Sequence, residues 1–283
     1  MKTIRCTLLA TAVVLLATPL LPAQATPSSV NKQIEKLRSF SADQRPAATI
    51  KVAGDIRTLR AGKDKVECAN HLADLVTEGD QGAEALQAVA DTLAQALGES
   101  PQPAKKDQPS APYLDLASLA RYKNVKVTLD DPLYAKAMQI LIDDDADVQK
   151  ADFTLKDLKN KTYTLSELKG KIVMVNFWAT WCAPCRVEMP TLDWIYTRFQ
   201  SQGLVILSIT DEDAFKVVGF LGPTNYHPPV LIDTGGKVHK LFHISGIPRT
   251  FFFDRDGKLL GETIDQCTPK QFVEILSKTD LHP

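Results

Sequence analysis

Cys182 and Cys185, separated by Ala183-Pro184, are the residues of this chain best suited to do chemistry. At this spacing the second sulfur reaches the first within one helical turn. The pair can therefore alternate between a dithiol and a small-loop disulfide, which is two-electron redox chemistry. It lies where a strand hands over to a helix: Ile172-Val173-Met174-Val175 is an apolar, β-branched run suited to a buried parallel strand, and amphipathic helical spacing continues after Cys185 through Trp194 and Phe199. Unpaired N–H groups and the macrodipole favour negative charge at a helix start, so Cys182 is expected to be the exposed, acidic and reactive thiol.

Glu188 follows Cys185 by three positions and shares its side of the helix. Partly buried beneath the pair, its carboxyl would have a raised pKa and could take the proton of Cys185; at the surface it would be an ordinary glutamate of the first helical turns. Pro190 inside the helix removes one hydrogen bond and is expected to kink it.

The segment Asn176-Phe177-Trp178-Ala179-Thr180-Trp181-Cys182-Ala183-Pro184-Cys185, with Glu188 and Pro190 beyond it, resembles the active-site segment of the thioredoxin superfamily. The longer form is similar to the TlpA-like branch, envelope thiol-disulfide oxidoreductases, and the likeness covers roughly residues 151–283. It implies an α/β thioredoxin-like fold, a central mixed sheet flanked by helices. It also implies a Cys182/Cys185 dithiol-disulfide cycle on protein thiol and disulfide substrates, kept running by an upstream electron donor, with no cofactor beyond the redox-active disulfide. Gly246-Ile247-Pro248 resembles the family's cis-proline loop, which makes Trp181, Ile247 and Pro248 the expected substrate contacts. Ala183-Pro184 is closer to the reductive members. Two positions depart from the family pattern: Asn176 stands where thioredoxin has a titrating aspartate, and Arg249 where relatives often carry a small hydroxylated residue.

The elements that must hold these residues can be read from periodicity. A hairpin is expected over 153–155 and 163–165, turning at Lys159-Asn160-Lys161. A strand at Leu204 to Ile209 and a helix from about Glu212 to Leu221 follow, then a short strand at Pro229 to Ile232 and a short helix at Lys237 to His243. Thr250 to Phe253 and Leu259 to Thr263 form an antiparallel pair turned by Asp256-Gly257, and Pro269 to Leu276 is the last helix.

Residues 1–25 have the layout of a cleaved secretory leader: Lys2 and Arg5, an apolar stretch from Leu8 to Leu21, and small residues at Ala23 and Ala25. Cleavage after Ala25 and a periplasmic or otherwise extracytoplasmic location are expected, with no membrane span in the mature chain. Residues 26–98 read as a small helical domain, with Ile34, Leu37 and Phe40 on one apolar stripe and a proline-bearing helix start after Ser41. The Pro-rich stretch 99–112 reads as an exposed, extended linker, and 113–150 as a mainly helical connecting segment with a short strand at Val125 to Leu129. Asp143-Asp144-Asp145 with Asp147 lacks the central glycine and terminal glutamate of a calcium loop and reads as a solvated helix end.

Lys and Arg number 33 against 34 Asp and Glu, without a basic cluster, so neither nucleic acid nor a polybasic membrane surface is an expected partner. Of five cysteines Cys6 leaves with the leader, and Cys68 and Cys267 remain beside the active pair. In an oxidising compartment these two either form a structural disulfide clamping the halves together or are two separately buried thiols. Three other functions compete with the dithiol-disulfide cycle. A metal site, including a copper carrier, could draw on His239 and His243 at i, i+4 spacing, but their distance from Cys185 is too long for a finger and the copper-carrying relatives have C-x-x-x-C, so no metal is expected. A peroxidase needs a threonine three before its nucleophile, and Thr180 is two before Cys182. A binding or scaffold protein with a redox-controlled latch is the alternative from another class.

Overall fold

The computed structural model describes residues 25–104 and 106–281; the leader expected at 1–25, with Cys6, lies outside them apart from Ala25. Helices fill the first half. α1 (Pro27–Lys36) opens on a reciprocal cap, Thr26 and Ser29 each accepting the other's backbone N–H. α2 (Arg45–Arg57) carries Pro46 in its first turn, where a missing N–H is harmless, and α3 (Lys63–Val76) and α4 (Gly82–Glu99) follow. Val30, Ile34, Leu72, Val89, Leu93 and Leu116 are buried in one core, each burial stabilising by roughly 1.5–3 kcal/mol. Leu116 belongs to α5 (Ala111–Tyr122), so the Pro-rich stretch crosses the outside of this helical body. It is tethered there by Gln102 N–H donating to the Tyr113 hydroxyl at 3.3 Å and by a buried Pro109.

Several expectations for this half need correction. Phe40 is 43% exposed, because the chain leaves the helical stripe in a 3-10 turn at Leu37–Ser39. No strand forms over 125–129: Gln87 accepts from Lys126 N–H at 2.9 Å and donates to its carbonyl at 2.7 Å, serving the backbone in place of a neighbouring strand. α6 (Pro132–Lys150) runs through the acidic run and ends well past it. The aspartates hold that stretch helical because they have partners: Asp145 pairs with Arg121 and accepts from the Tyr122 hydroxyl at 3.1 Å, and Asp144 lies 3.2 Å from His243.

The second half is the mixed sheet that the resemblance implies. β1 (Thr154–Lys156) and β2 (Thr162–Thr164) pair as a hairpin. β3 (Ile172–Phe177), β4 (Leu204–Thr210), β5 (Val230–Ile232), β6 (Arg249–Phe253) and β7 (Leu259–Ile264) form one sheet in the order β5-β4-β3-β6-β7. β3, β4 and β5 are parallel, and β6 is antiparallel to both β3 and β7. Every residue of β3 is buried, the apolar run Ile172 to Val175 as its composition requires and Asn176 through its hydrogen bonds. Val173, Val175 and Phe177 face a core shared with α9 (Lys237–Leu241), whereas Ile172 and Met174 face α7 (Ala183–Phe199) and α10 (Pro269–Leu276). α8 (Ala214–Leu221) completes the set.

The halves meet on the connector between β7 and α10. Thr77 Oγ1 donates to Asp265 Oδ2 at 2.6 Å, Gly79 N–H to the Gln266 carbonyl at 2.8 Å, and Lys123 Nζ to the Ile264 carbonyl at 3.1 Å. At the other end of β7, Gln149 donates to the Gly257 carbonyl at 3.0 Å and accepts from Leu259 N–H at 2.7 Å. No disulfide clamps them: Cys68 and Cys267 are both free and buried. The reason is placement. Cys68 turns toward α1, its sulfur 3.8 Å from the Pro27 carbonyl and from Asn31 Oδ1, whereas Cys267 packs with Phe252 and Phe272 in a different core. Burial pushes both thiols up, Cys267 to about 11, as expected of small apolar residues.

Candidate active site

β3 delivers the chain to the site. Trp178 N–H donates to the Ile209 carbonyl at 3.1 Å, extending the β3–β4 pairing by one step. The loop then closes through Cys182 N–H to the Ala179 carbonyl at 3.1 Å, and both the N–H and the hydroxyl of Thr180 donate to the Glu212 carboxylate ahead of α8. Cys182 is the residue capping α7, and its sulfur accepts Cys185 N–H at 3.2 Å. The two cysteines are joined by a disulfide with Cα atoms 5.3 Å apart.

The expected exposure of Cys182 needs correction: it is only 4% exposed against 2% for Cys185. Its neighbours cover it, for Trp178, Ala179 and Met189 pack around the pair, and the Ile247 carbonyl oxygen lies 3.7 Å from the Cys182 sulfur. Trp181 is instead the exposed residue, at 68%. The Ile247–Pro248 peptide bond is cis, with Ile247 half-buried against the disulfide cluster and Pro248 buried. Pro190 lies inside α7.

Glu188 is 1% exposed. One carboxylate oxygen accepts the Cys267 N–H at 2.8 Å and the other accepts Asn176 Nδ2 at 3.3 Å, while Asn176 also donates to Thr250 Oγ1 at 3.0 Å. Burial pushes its carboxyl up to about 8 against the Cys267 N–H, which favours the charge; Asp265 adds to the rise, and Lys123 and Asn176 oppose it. Asn176 thus acts as a donor to the carboxylate.

Arg249 turns away from the disulfide. Its guanidinium is buried in a two-point pair with Glu262, at 3.1 and 2.6 Å, and lies over the Tyr122 ring at 5.8 Å. His239 is taken by Asp233 at 2.8 Å and His243 by Asp144, so they do not converge with the cysteines. Among the described residues, no group of three or more His, Cys, Asp or Glu is placed to hold a metal ion. A cavity of about 560 Å³ opens between α3, α5 and α6 on one side and Gly246, Ile247 and Pro248 on the other.

The AhpC/TSA family matches residues 146–261. The thiol-disulfide oxidoreductase ResA of Bacillus thuringiensis subsp. konkukian is 36% identical over 128 residues, which cover 45% of this chain and 74% of that protein. The chain belongs to the ResA-like thiol-disulfide oxidoreductases. ResA of Bacillus subtilis is 37% identical over 110 residues, 38% of this chain and 62% of the relative. A thiol:disulfide interchange protein DsbE of Chlorobium tepidum, in its crystal structure, aligns at a TM-score of 0.42 and 25% identity over 45% of this chain and 92% of the other. The family match begins at residue 146, so α1 to α5 lie outside it.

The structure brings Cys182, Cys185 and Ile247 together, with Pro248 next to Ile247 and Trp181 exposed beside Cys182, and buries Glu188 further along α7. It adds residues that sequence reading missed. Asp265 and Lys123 act on that buried carboxylate, and Glu262 is the partner of Arg249 just after the loop at Pro248. A lone charged residue in an otherwise uncharged strand, Glu262 in β7, was the available signal for the pair.

Proposed function

We propose that this ResA-like oxidoreductase works as a reductase of protein disulfides outside the cytoplasm, with Cys182 as nucleophile, Cys185 as resolving thiol and Glu188 as proton acceptor. The carrying observation is the setting of the disulfide: both sulfurs are buried among Trp178, Ala179, Met189, Val217 and Val230, with a carboxyl group in the same helix. Such surroundings disfavour thiolates, destabilise the dithiol form relative to the disulfide and so favour handing electrons on. The leader-like layout of residues 1–25 supports export, and no described helix is long and apolar enough to cross a membrane.

In this mechanism the thiolate fraction of Cys182 that the apolar setting leaves, its sulfur facing the Cys185 N–H at the start of α7, attacks a substrate sulfur. A Cys182–substrate disulfide forms and the other substrate sulfur leaves as a thiolate. Cys185 gives its proton to Glu188 as its sulfur attacks that of Cys182; the Cys182–Cys185 bond forms and the second substrate thiolate departs with the electron pair. Trp181 offers the substrate an apolar surface, and the backbone at Ile247 and Pro248 lines the approach. A dithiol donor restores the reduced pair.

Equilibration of the full chain with glutathione buffers tests the direction. The Cys182–Cys185 couple is expected to be more reducing than glutathione, and a couple more oxidising than glutathione would overturn the reductase reading. In single turnovers with a disulfide peptide, Cys182→Ser is expected to abolish reaction and Cys185→Ser to accumulate the mixed disulfide. Preferential alkylation of Cys185 in the reduced protein would reverse the two roles.

A further inference from the structure

Asp265 has φ +61, a left-handed conformation less favourable for a residue with a side chain, and its surroundings hold it there. The holding comes from both directions. From the helical half, Thr77 grips its carboxylate at 2.6 Å, Lys123 the preceding carbonyl at 3.1 Å and Gly79 the following one at 2.8 Å. Toward the active site, Asp265 N–H donates to the carbonyl of Pro248 at 3.0 Å, and Cys267 N–H donates to Glu188 Oε1 at 2.8 Å. Ile264 to Cys267 therefore join the helical half to both the loop that faces the disulfide and the carboxyl group behind it.

We propose that the helical half regulates the active site through this connector, with Lys123 and Asp265 as positioning residues of opposite charge for Glu188. The proposal rests on the reading of Glu188 as the proton acceptor. Lys123, in the turn that ends α5, is a cation brought in by the helices; Asp265 is an anion on the connector itself. Their charges act on Glu188 with opposite sign. The other titratable groups facing it are Cys267 on the connector and Tyr226, whose hydroxyl contacts Ser208 at 2.7 Å; from β3 it meets only the neutral amide of Asn176. A family member without these helices has no Lys123, so the added half would tune a site that the catalytic fold already contains.

The test uses the full chain in its disulfide form, where Cys182 and Cys185 do not titrate, and follows the Glu188 carboxyl carbon by NMR as pH rises; Glu188→Gln identifies the signal. Lys123→Met is expected to raise the midpoint and Asp265→Asn to lower it, each by roughly half a pH unit or more, about a threefold change in the charged fraction at neutral pH. Lys123→Arg should restore the wild-type midpoint. The pH limb of mixed-disulfide resolution should move with the carboxyl in both variants. A strut without an electrostatic role would leave the midpoint in place or shift it the same way in both, and either result overturns the proposal. If only one variant folds, the direction of its own shift decides. Carboxyl midpoints that separate as expected while the kinetic limb stays put would uphold the tuning and refute Glu188 as proton acceptor.

Discussion

With its carboxyl pushed up to about 8 by burial, Glu188 is largely protonated at neutral pH in the disulfide form and becomes a base as pH rises. Resolution of the mixed disulfide is therefore expected to accelerate through this range, and Glu188→Gln should lose that limb while keeping its fold. Stability carries the opposite sign. The folded-state value lies above the ordinary glutamate value of 4.5, so the stabilisation is fully present below about 4.5 and is lost as pH rises through about 8. Denaturant midpoints of the oxidised protein at pH 5 and 9 should show wild type losing on the order of 3–5 kcal/mol more than Glu188→Gln. Parallel losses in the two proteins would mean that Glu188 ionises without penalty. The side of α7 on which Glu188 lies was legible from its three-residue offset from Cys185. Its partner was not, since Cys267 is 79 positions away and a cysteine backbone N–H leaves no mark in a sequence.

Among the elements, the β6–β7 hairpin buries a charged pair. Arg249 and Glu262 are both buried and satisfy one another at two points. Glu262→Gln leaves the guanidinium without its counter-charge and should destabilise by about 3–5 kcal/mol, whereas the double change to Arg249→Met and Glu262→Met should recover much of that loss. Thermal or urea unfolding checks this, and a single variant as stable as wild type would show that Tyr122 and Asp144 suffice. Alternation and turn chemistry made the hairpin itself legible, and Pro269–Leu276 was readable to the residue because a capping threonine and a first-turn proline mark its start. The same reading misjudged the length of α6. A run of aspartates reads as solvent-facing until Arg121 and His243, supplied by other elements, are brought beside it.

For the whole molecule, the contacts that dock one half on the other among the described residues are non-covalent. Denaturation without reductant, followed by alkylation and peptide mapping, is expected to label both Cys68 and Cys267 and to spare the Cys182–Cys185 pair. A peptide linking Cys68 to Cys267 would contradict this arrangement. The docking was beyond sequence reading because its contacts join distant, individually ordinary residues, Thr77 and Asp265 being 188 positions apart. It also determines what the sheet can bind. The outermost strands of an open sheet present unpaired backbone groups that template addition of a further strand. Here Val230 of β5 accepts Leu158 N–H at 3.1 Å and Asp157 bridges Leu231. At the opposite margin, α5 packs on β7 while Gln149 and Lys123 occupy the first N–H and the last carbonyl of that strand. Both margins are thus partly covered by other segments of the chain, which disfavours addition of a further strand, and a chain stripped of its helices would gain a sticky border along β7 on which copies of itself would polymerise.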